Sequence, residues 1–342
     1  MGGERSRRWL VLICLLGLLV LGALLALAWG SVNIPWQKIP GILVDSQTEH
    51  TSWRTILMRL RLPRLLLGLI VGGALGMAGG VFQGLLRNPM ADPYLVGISA
   101  GAGFGAVMAM LFGWNFTVFG LGSLPFLAFA GALATVFIVY RLARVGGKVP
   151  VTSFLLAGVA IGFLLNALMS LMMVGMGRDL HRVFYWLMGT FSGRGWNELR
   201  LLIPYFSLGF ILILWQLRNL NLLVLGEEAA LHLGVNVERT KVVLITGASL
   251  LTASAVAVSG LIGFVGLIVP HIMRLLIGPD HRFLVPFCGI AGGVFLMWGD
   301  TLARSLFPPL EIPVGIITAL AGGPFFLYLL RRHQGRYFGQ GG

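Results

Sequence analysis

The sequence predicts an all-α, polytopic membrane protein, and three observations carry that prediction. Of the 342 residues, 57% are hydrophobic and only 11% are charged, whereas soluble domains carry about 25% charged residues. The apolar runs are long enough to cross a bilayer as helix, which takes about 20 residues, and they follow one another almost end to end. No stretch has the composition of a linker or a soluble domain, so residues 1–342 read as a single integral domain.

The first apolar run, Trp9 to Trp29, follows Arg5, Arg7 and Arg8. It is too long for a signal-peptide core and lacks a small-x-small exit, so 8–30 reads as the first span. Ser31 to Thr55 is mixed and polar and reads as a loop with a short surface helix. Further spans are expected at 62–86, 94–113, 122–144, 150–175, 199–217, 241–260, 261–277, 283–305 and 312–331, about ten in all. Between 241 and 277, Ser259-Gly260 and Gly263 fit either a hinge between two spans or a bend in one. Gly175 to Glu198 is amphipathic, and Trp186 and Trp196 suit an interface. Gly322-Gly323-Pro324 is expected to interrupt the last span.

An even number of spans puts both termini on one side. With that side inside, the inner segments collect 15 of the 25 basic residues, among them Arg5, Arg7, Arg8, Arg87, Lys148, Arg218 and Arg239. The positive-inside bias therefore makes both termini cytoplasmic. The outer side still holds Arg59, Arg61 and Arg64 before the second span and Arg304 at the end of the ninth.

Gly68, Gly72, Gly76, Gly80 and Gly84 form a four-residue stripe, and Gly97, Gly101 and Gly105 form another. Such stripes let helices pack closely; lining a path is the second reading. Gly79–Pro89 ("GGVFQGLLRNP") and Gly260–Pro270 ("GLIGFVGLIVP") echo each other, as in chains built from inverted-repeat halves.

Several chemistries are missing. The one Gly-Lys pair, Gly147-Lys148, is followed by Val149, so there is no phosphate-cradling loop. No H-E-x-x-H run or nucleophile triad stands out, and no catalytic residue is assigned. Cys14 and Cys288 read as apolar packers, and His271 and His281 as histidines near a helix end rather than a metal pair. The basic residues are spread over loop ends, which excludes a nucleic-acid domain. Charged residues are scarce inside the spans, which counts against an ion-coupled carrier. A transporter with no ATP site of its own needs a motor on another chain.

Leu223 to Lys241 ("LVLGEEAALHLGVNVERTK") is a charged element between greasy runs. Gly226 can open a short helix, with Glu227 and Glu228 in its first turn, where the helix dipole favours anions. Leu225, Ala229 and Leu233 fall on one face. Gly234 can close the helix in a left-handed cap, and Asn236 can cap a second short helix.

Taken together, "LRLPRLLLGLIVGGALGMAGGVFQGLLRNPMADPYLVGISAGA" (60–102), "FLLAGVAIGFLLNALM" (154–169), "YWLMGTFSGRGW" (185–196), "LGEEAALHLGV" (225–235), "SGLIGFVGLIVPHIMRLLIGPDHR" (259–282) and "GDTLARSLFPPLEIPVGIITALAGGPFFLYLL" (299–330) resemble the FecCD-type permease subunits of ABC importers for iron-siderophore, haem and cobalamin. "RNPMADP" and "GFVGLIVPHIMR" are the specific signals. The resemblance implies a permease of the bacterial or archaeal cytoplasmic membrane that pairs with a second copy of itself. It implies two ATP-binding cassette subunits inside, holding ATP and Mg, and a substrate-binding protein outside, with no cofactor or metal in this chain.

By the same resemblance, Gly226, Glu227, Glu228, Ala229, Leu233 and Gly234 within 223–241 couple to the ATPase. Arg61, Arg64 and Arg304 face acidic residues of the binding protein. The path runs along the spans at 150–175 and 312–331, with Thr152 and Ser153 at a cytoplasmic narrowing. From composition, Asn166, Met169, Met172 and Met173 fit a polarizable lining. The cargo expected is a ferric siderophore, haem or cobalamin. A secondary carrier or channel without an ATPase, and an intramembrane enzyme, are the alternatives.

Overall fold

The computed structural model describes residues 2–30, 32–44, 51–118, 120–307 and 310–337. The chain is helical nearly throughout: α1 (Gly2–Ala28), α2 (Ile39–Val44), α3 (Thr51–Thr55), α4 (Leu62–Leu85), α5 (Ile98–Leu111), α6 (Ser123–Ala143), α7 (Val151–Val174), α8 (Leu180–Leu187), α9 (Trp196–Val224), α10 (Glu227–His232), α11 (Val237–Ser259), α12 (Val265–Ile277), α13 (His281–Ser305) and α14 (Val314–Tyr337). A two-stranded antiparallel ribbon, Thr117–Val118 with Leu121–Gly122, joins α5 to α6. Among the described residues, seven helices are long and apolar enough to cross a bilayer, and Ile98–Leu111, Val265–Ile277 and Val314–Leu329 are shorter apolar helices.

The helices sort into a buried centre and an exposed periphery. α4, α11 and α13 are mostly covered by protein, whereas α1, α7 and α9 leave most of their apolar surface open. The glycine stripes explain the centre. A Cβ at Gly72 would overlap the Gly292 carbonyl oxygen, and one at Gly76 that of Cys288, so α4 and α13 touch backbone to backbone. The second stripe does the same for α5 and α6, where a Cβ at Gly105 would overlap the Leu127 carbonyl. Both stripes are therefore packing faces, since the close approach leaves no room for a path between these helices. The two echoing segments also meet. Gly79 lies against the Gly266 carbonyl, and Gln83 Nε2 donates to the carbonyls of Gly266 and Leu267 at 3.4 and 3.3 Å.

Several expected boundaries shift, each for a local reason. Helical backbone begins at Thr51, ahead of 62, and runs through one wide π-type turn at Ile56–Arg61 into α4. The three arginines there lower the hydropathy without ending the helix. A wide turn shifts the backbone bonding, and the Met58 carbonyl accepts from Trp196 Nε1 at 2.8 Å. The third apolar helix starts at Ile98 rather than 94, because Pro93–Val96 forms a 3-10 turn and Gly97 takes φ +85°. α9 continues past 217 to Val224.

The run from 241 to 277 resolves into two helices, α11 and α12, separated at Gly260–Phe264. Non-helical backbone at membrane depth must be satisfied by protein. Tyr94 does this: its hydroxyl donates to the Ile262 carbonyl at 3.0 Å and accepts the Ile262 N–H at 3.1 Å. The Ser259 carbonyl accepts from Thr190 N–H at 2.7 Å. Phe264, a non-glycine at φ +68°, starts α12. Its ring takes the space a side chain at Gly322 would need. The expected interruption at Gly322-Gly323-Pro324 is absent, and α14 runs through as one helix. It absorbs Pro324 as α9, α12 and α13 absorb Pro204, Pro270 and Pro286.

Candidate functional site

The charged element folds into a compact knob at one end of the bundle. Because α9 reaches Val224 and α11 begins at Val237, the knob comprises only 225–236. Gly226 opens α10 at φ 125°, ψ 151°, a backbone region essentially reserved for glycine. At the other end Gly234 takes φ +82°. Its N–H bonds the Leu231 carbonyl at 2.9 Å, and the Val235 N–H bonds Ala230 at 3.0 Å. These are the paired bonds of a Schellman cap, and the residues at its two ends, Ala230 and Val235, are both buried. Asn236 Oδ1 accepts the Arg239 N–H at 3.1 Å, but it caps α11 itself and not a separate short helix.

The knob's surface is apolar with an acidic end. Leu225, Leu231 and Leu233 are 69%, 52% and 60% exposed. Glu228 is exposed and Ala229 half-buried. Glu227 turns inward to Lys241 at 2.8 Å. Lys241 also meets Glu238 at 3.1 Å and the Val149 carbonyl at 3.0 Å. Thr152 and Ser153 follow Val149 closely, in the first turn of α7.

The opposite end of the bundle gathers the arginines around a cavity of ≈ 810 Å³, lined by Arg59, Arg61, Arg64, Arg194, Arg304 and Glu311 among others. Arg61, expected to face outward, is only 6% exposed. It donates to the carbonyls of Leu27, Ala28 and Val32 at the end of α1, and Arg304 donates to that of Ala26. Cations at a helix C terminus satisfy its free carbonyls and its dipole. Arg64 is tied to Asp300 and Glu311. Burial raises the Glu311 carboxyl, but the Arg64 guanidinium and its hydrogen bond outweigh that and hold it below the ordinary carboxylate range. Arg59 stands exposed on the rim.

The path residues divide. Asn166 lies on the exposed side of α7 with Phe163 and Leu171. Met169, Met172 and Met173 instead pack half-buried against Val107, Met176 and Val183. Asn166, Met169 and Met173, at i, i+3 and i+7, lie within about 60° of one another around α7, so they share one side of it, and burial there differs from exposed at Asn166 to half-buried at the two methionines.

Sequence reasoning passed over Asp300, Glu311, Glu238 and Val149. The first two sit in the same quoted motif as Arg304, and two acids beside an arginine cluster were the available signal. The grip on Val149 uses its backbone, which leaves no trace in the sequence.

The FecCD transport family matches over residues 18–332. The cobalamin import system permease protein BtuC of Halobacterium salinarum is 48% identical over 283 residues, covering 83% of this chain and 75% of the relative. The hemin transport system permease protein HmuU of Yersinia pestis is 40% identical over 332 residues, covering 95% and 96%. A solved inward-facing structure assigned to the metal-chelate type of ABC transporter superposes with a TM-score of 0.82 at 32% identity, covering 94% of this chain and 99% of the other.

Proposed function

The chain belongs to the FecCD transport family and is a permease subunit of an ABC importer in the cytoplasmic membrane; from that premise we propose how it spans the membrane, what it binds and what it carries. The seven long apolar helices and three shorter ones together make ten spans, with both termini and the knob on the cytoplasmic side. Two copies pair, and the exposed face of α7 with Asn166 borders the path between them.

ATP is hydrolysed by separate ATPase subunits, and the knob is where they dock. One observation carries this reading. A short helix with special backbone at both ends, held to the bundle on its inner side, lies among three exposed leucines, Leu225 before it, Leu231 within it and Leu233 at its end. Exposed apolar side chains with polar surroundings mark an interaction site. Gly226 and Gly234 fix its ends, Ala229 and Leu233 belong to its contact face, and Glu227 and Glu228 form its acidic end.

The arginine end lies outside and receives the substrate-binding protein. Cations around an open cavity attract and orient an anionic partner. Arg61, Arg64 and Arg304 build the cavity wall, and Arg59 supplies an exposed charge on its rim. Thr152 and Ser153 stand at the cytoplasmic narrowing of the path.

The cargo is a metal chelate: a ferric siderophore, haem or cobalamin. Relatives of similar identity are named for hemin and for cobalamin, and the binding protein makes most of the choice. The test is reconstitution of permease, ATPase and binding protein in proteoliposomes, with the binding protein's natural ligand identified by spectrum and mass. ATP-dependent uptake of that ligand is expected. Uptake driven by an ion gradient without the ATPase would mark a secondary carrier instead.

A further inference from the structure

Lys241 is only 3% exposed, yet its ammonium joins three parts of the chain. It has three N–H donors and three oxygen partners. Glu227 Oε1, at 2.8 Å, belongs to the knob. Glu238 Oε1, at 3.1 Å, is one turn back on α11. The Val149 carbonyl, at 3.0 Å, lies two residues before α7.

The Val149 peptide is held from both sides, because its N–H donates to Glu238 Oε2 at 3.2 Å. The connection before it is also stiff. Val145 and Lys148 exchange backbone hydrogen bonds at 2.9 and 3.1 Å. Gly146 and Gly147 between them take φ +58° and +83°, the two positive values of a type I′ turn. Pro150 then sets φ near −63° and α7 begins. From the knob through Lys241 to the first turn of α7, each step is an ion pair, a hydrogen bond or regular backbone.

Stability alone does not call for this arrangement, since a buried ion pair is weak evidence of stabilisation. The knob already packs through Ala230 and Val235. What the cluster adds is a charge-assisted link between two elements remote in sequence. Water has little access to Lys241, so parting it from either partner would strand a buried charge. Knob and α7 terminus are therefore held to move together.

We propose that Lys241 is the positioning residue that carries knob displacement to Thr152 and Ser153, so that the ATPase acts on the cytoplasmic narrowing through this one ammonium. The inference rests on the reading of the knob as the ATPase dock and of the α7 terminus as the narrowing.

The experiment uses the full complex in proteoliposomes, with a spin label at Thr152→Cys in a Cys14→Ser background, Cys288 being buried. The label-to-label distance across the paired permeases is read with and without ATP, and transported cargo is counted per ATP hydrolysed. In the unmodified complex the distance is expected to change with ATP. In Lys241→Met that change is expected to be lost and transport per ATP to fall about tenfold or more, within the range of a coupling free energy between sites. Lys241→Arg, which keeps the charge, is expected to recover part of both. A wild-type distance change and transport ratio in Lys241→Met overturn the inference and leave the narrowing in place. A label that stays still in the unmodified complex overturns the reading of the narrowing, and the inference with it. If Lys241→Met does not assemble, Glu227→Gln carries the same two readings, because Lys241 then keeps its other two partners. A severalfold loss of transport per ATP is expected there, and wild-type values overturn the inference.

Discussion

Arg64 and Asp300 form a two-pronged pair, with Nε 2.9 Å from Oδ2 and Nη2 2.9 Å from Oδ1. The remaining nitrogen, Nη1, lies 2.9 Å from Glu311 Oε2. The side chains of Arg64 and Asp300 are 13% and 8% exposed. Removing one partner of such a pair leaves the other charge buried alone. Arg64→Ala or Asp300→Ala should therefore cost about 3–5 kcal/mol, whereas Arg64→Met with Asp300→Leu should cost less than either single change. Thermal unfolding of the four proteins in detergent measures this cycle. Charge reversal at Arg64 would consequently report on folding as much as on docking.

The docking charge is better tested at Arg59, which is exposed on the cavity rim. Arg59→Glu should slow association of the binding protein about tenfold at low salt, with the difference shrinking as salt rises. Its unfolding free energy should stay within about 0.5 kcal/mol of the parent, as for most surface changes. Association kinetics at two ionic strengths, beside an unfolding curve, decide it. A rate that does not change removes the rim from the docking account.

The knob's two special backbone positions make separate claims. Space is open around both, so the penalty of a side chain is conformational and not steric. Gly234→Ala should cost about 1–2 kcal/mol, the penalty of a left-handed residue with a Cβ. Gly226→Ala should cost about 1–3 kcal/mol, since φ 125° with ψ 151° is a sparsely populated region. In both variants ATPase retention should fall while α9 and α11 stay protected in hydrogen exchange. Uniform loss of protection would mean that the knob is not a separate unit.

Asp92 gives a pH dependence of defined sign. It lies outside the long apolar helices, in the link before Pro93–Val96, and its Oδ1 accepts the Tyr94 N–H at 2.8 Å. Burial pushes its carboxyl up to about 6, and that hydrogen bond only partly opposes the shift. The folded state thus holds a proton more tightly than the unfolded one, so its contribution to stability is full below about pH 4 and is lost as pH rises through about 6. Asp92→Asn keeps the acceptor but has no charge. It should unfold at a higher temperature than the parent above pH 6, with the gap closing below pH 4. A difference in unfolding midpoint that stays the same size at every pH across that range would contradict the assignment.

Much of the architecture could be read from the chain because bilayer helices announce themselves by length and apolarity. The caps at Gly226, Gly234 and Asn236 were legible for the same local reason: each is set by one residue's backbone or side-chain preference. The site's cross-chain contacts were not. Arg61 reads as an exposed cation in sequence, yet it folds under the end of α1, because the carbonyls it meets belong to residues 27, 28 and 32. Met169 and Met173 share a side of α7 with Asn166, yet they pack half-buried against Val107 and Met176 while Asn166 stays exposed, a difference set by neighbours distant in sequence. The continuity of α14 through Pro324 was hidden likewise, since Gly322 makes room for Phe264, a neighbour distant in sequence.

The account stands or falls on the knob as the ATPase dock. Leu231 and Leu233 are exposed, so Leu231→Asp with Leu233→Asp changes the surface without emptying the core. The most direct measurement is the amount of ATPase that co-purifies with this double variant, normalised to folded permease. Loss of such contacts should lower retention about tenfold or more, with the unfolding temperature of the permease unchanged. Retention equal to that of the parent would contradict the assignment of the knob.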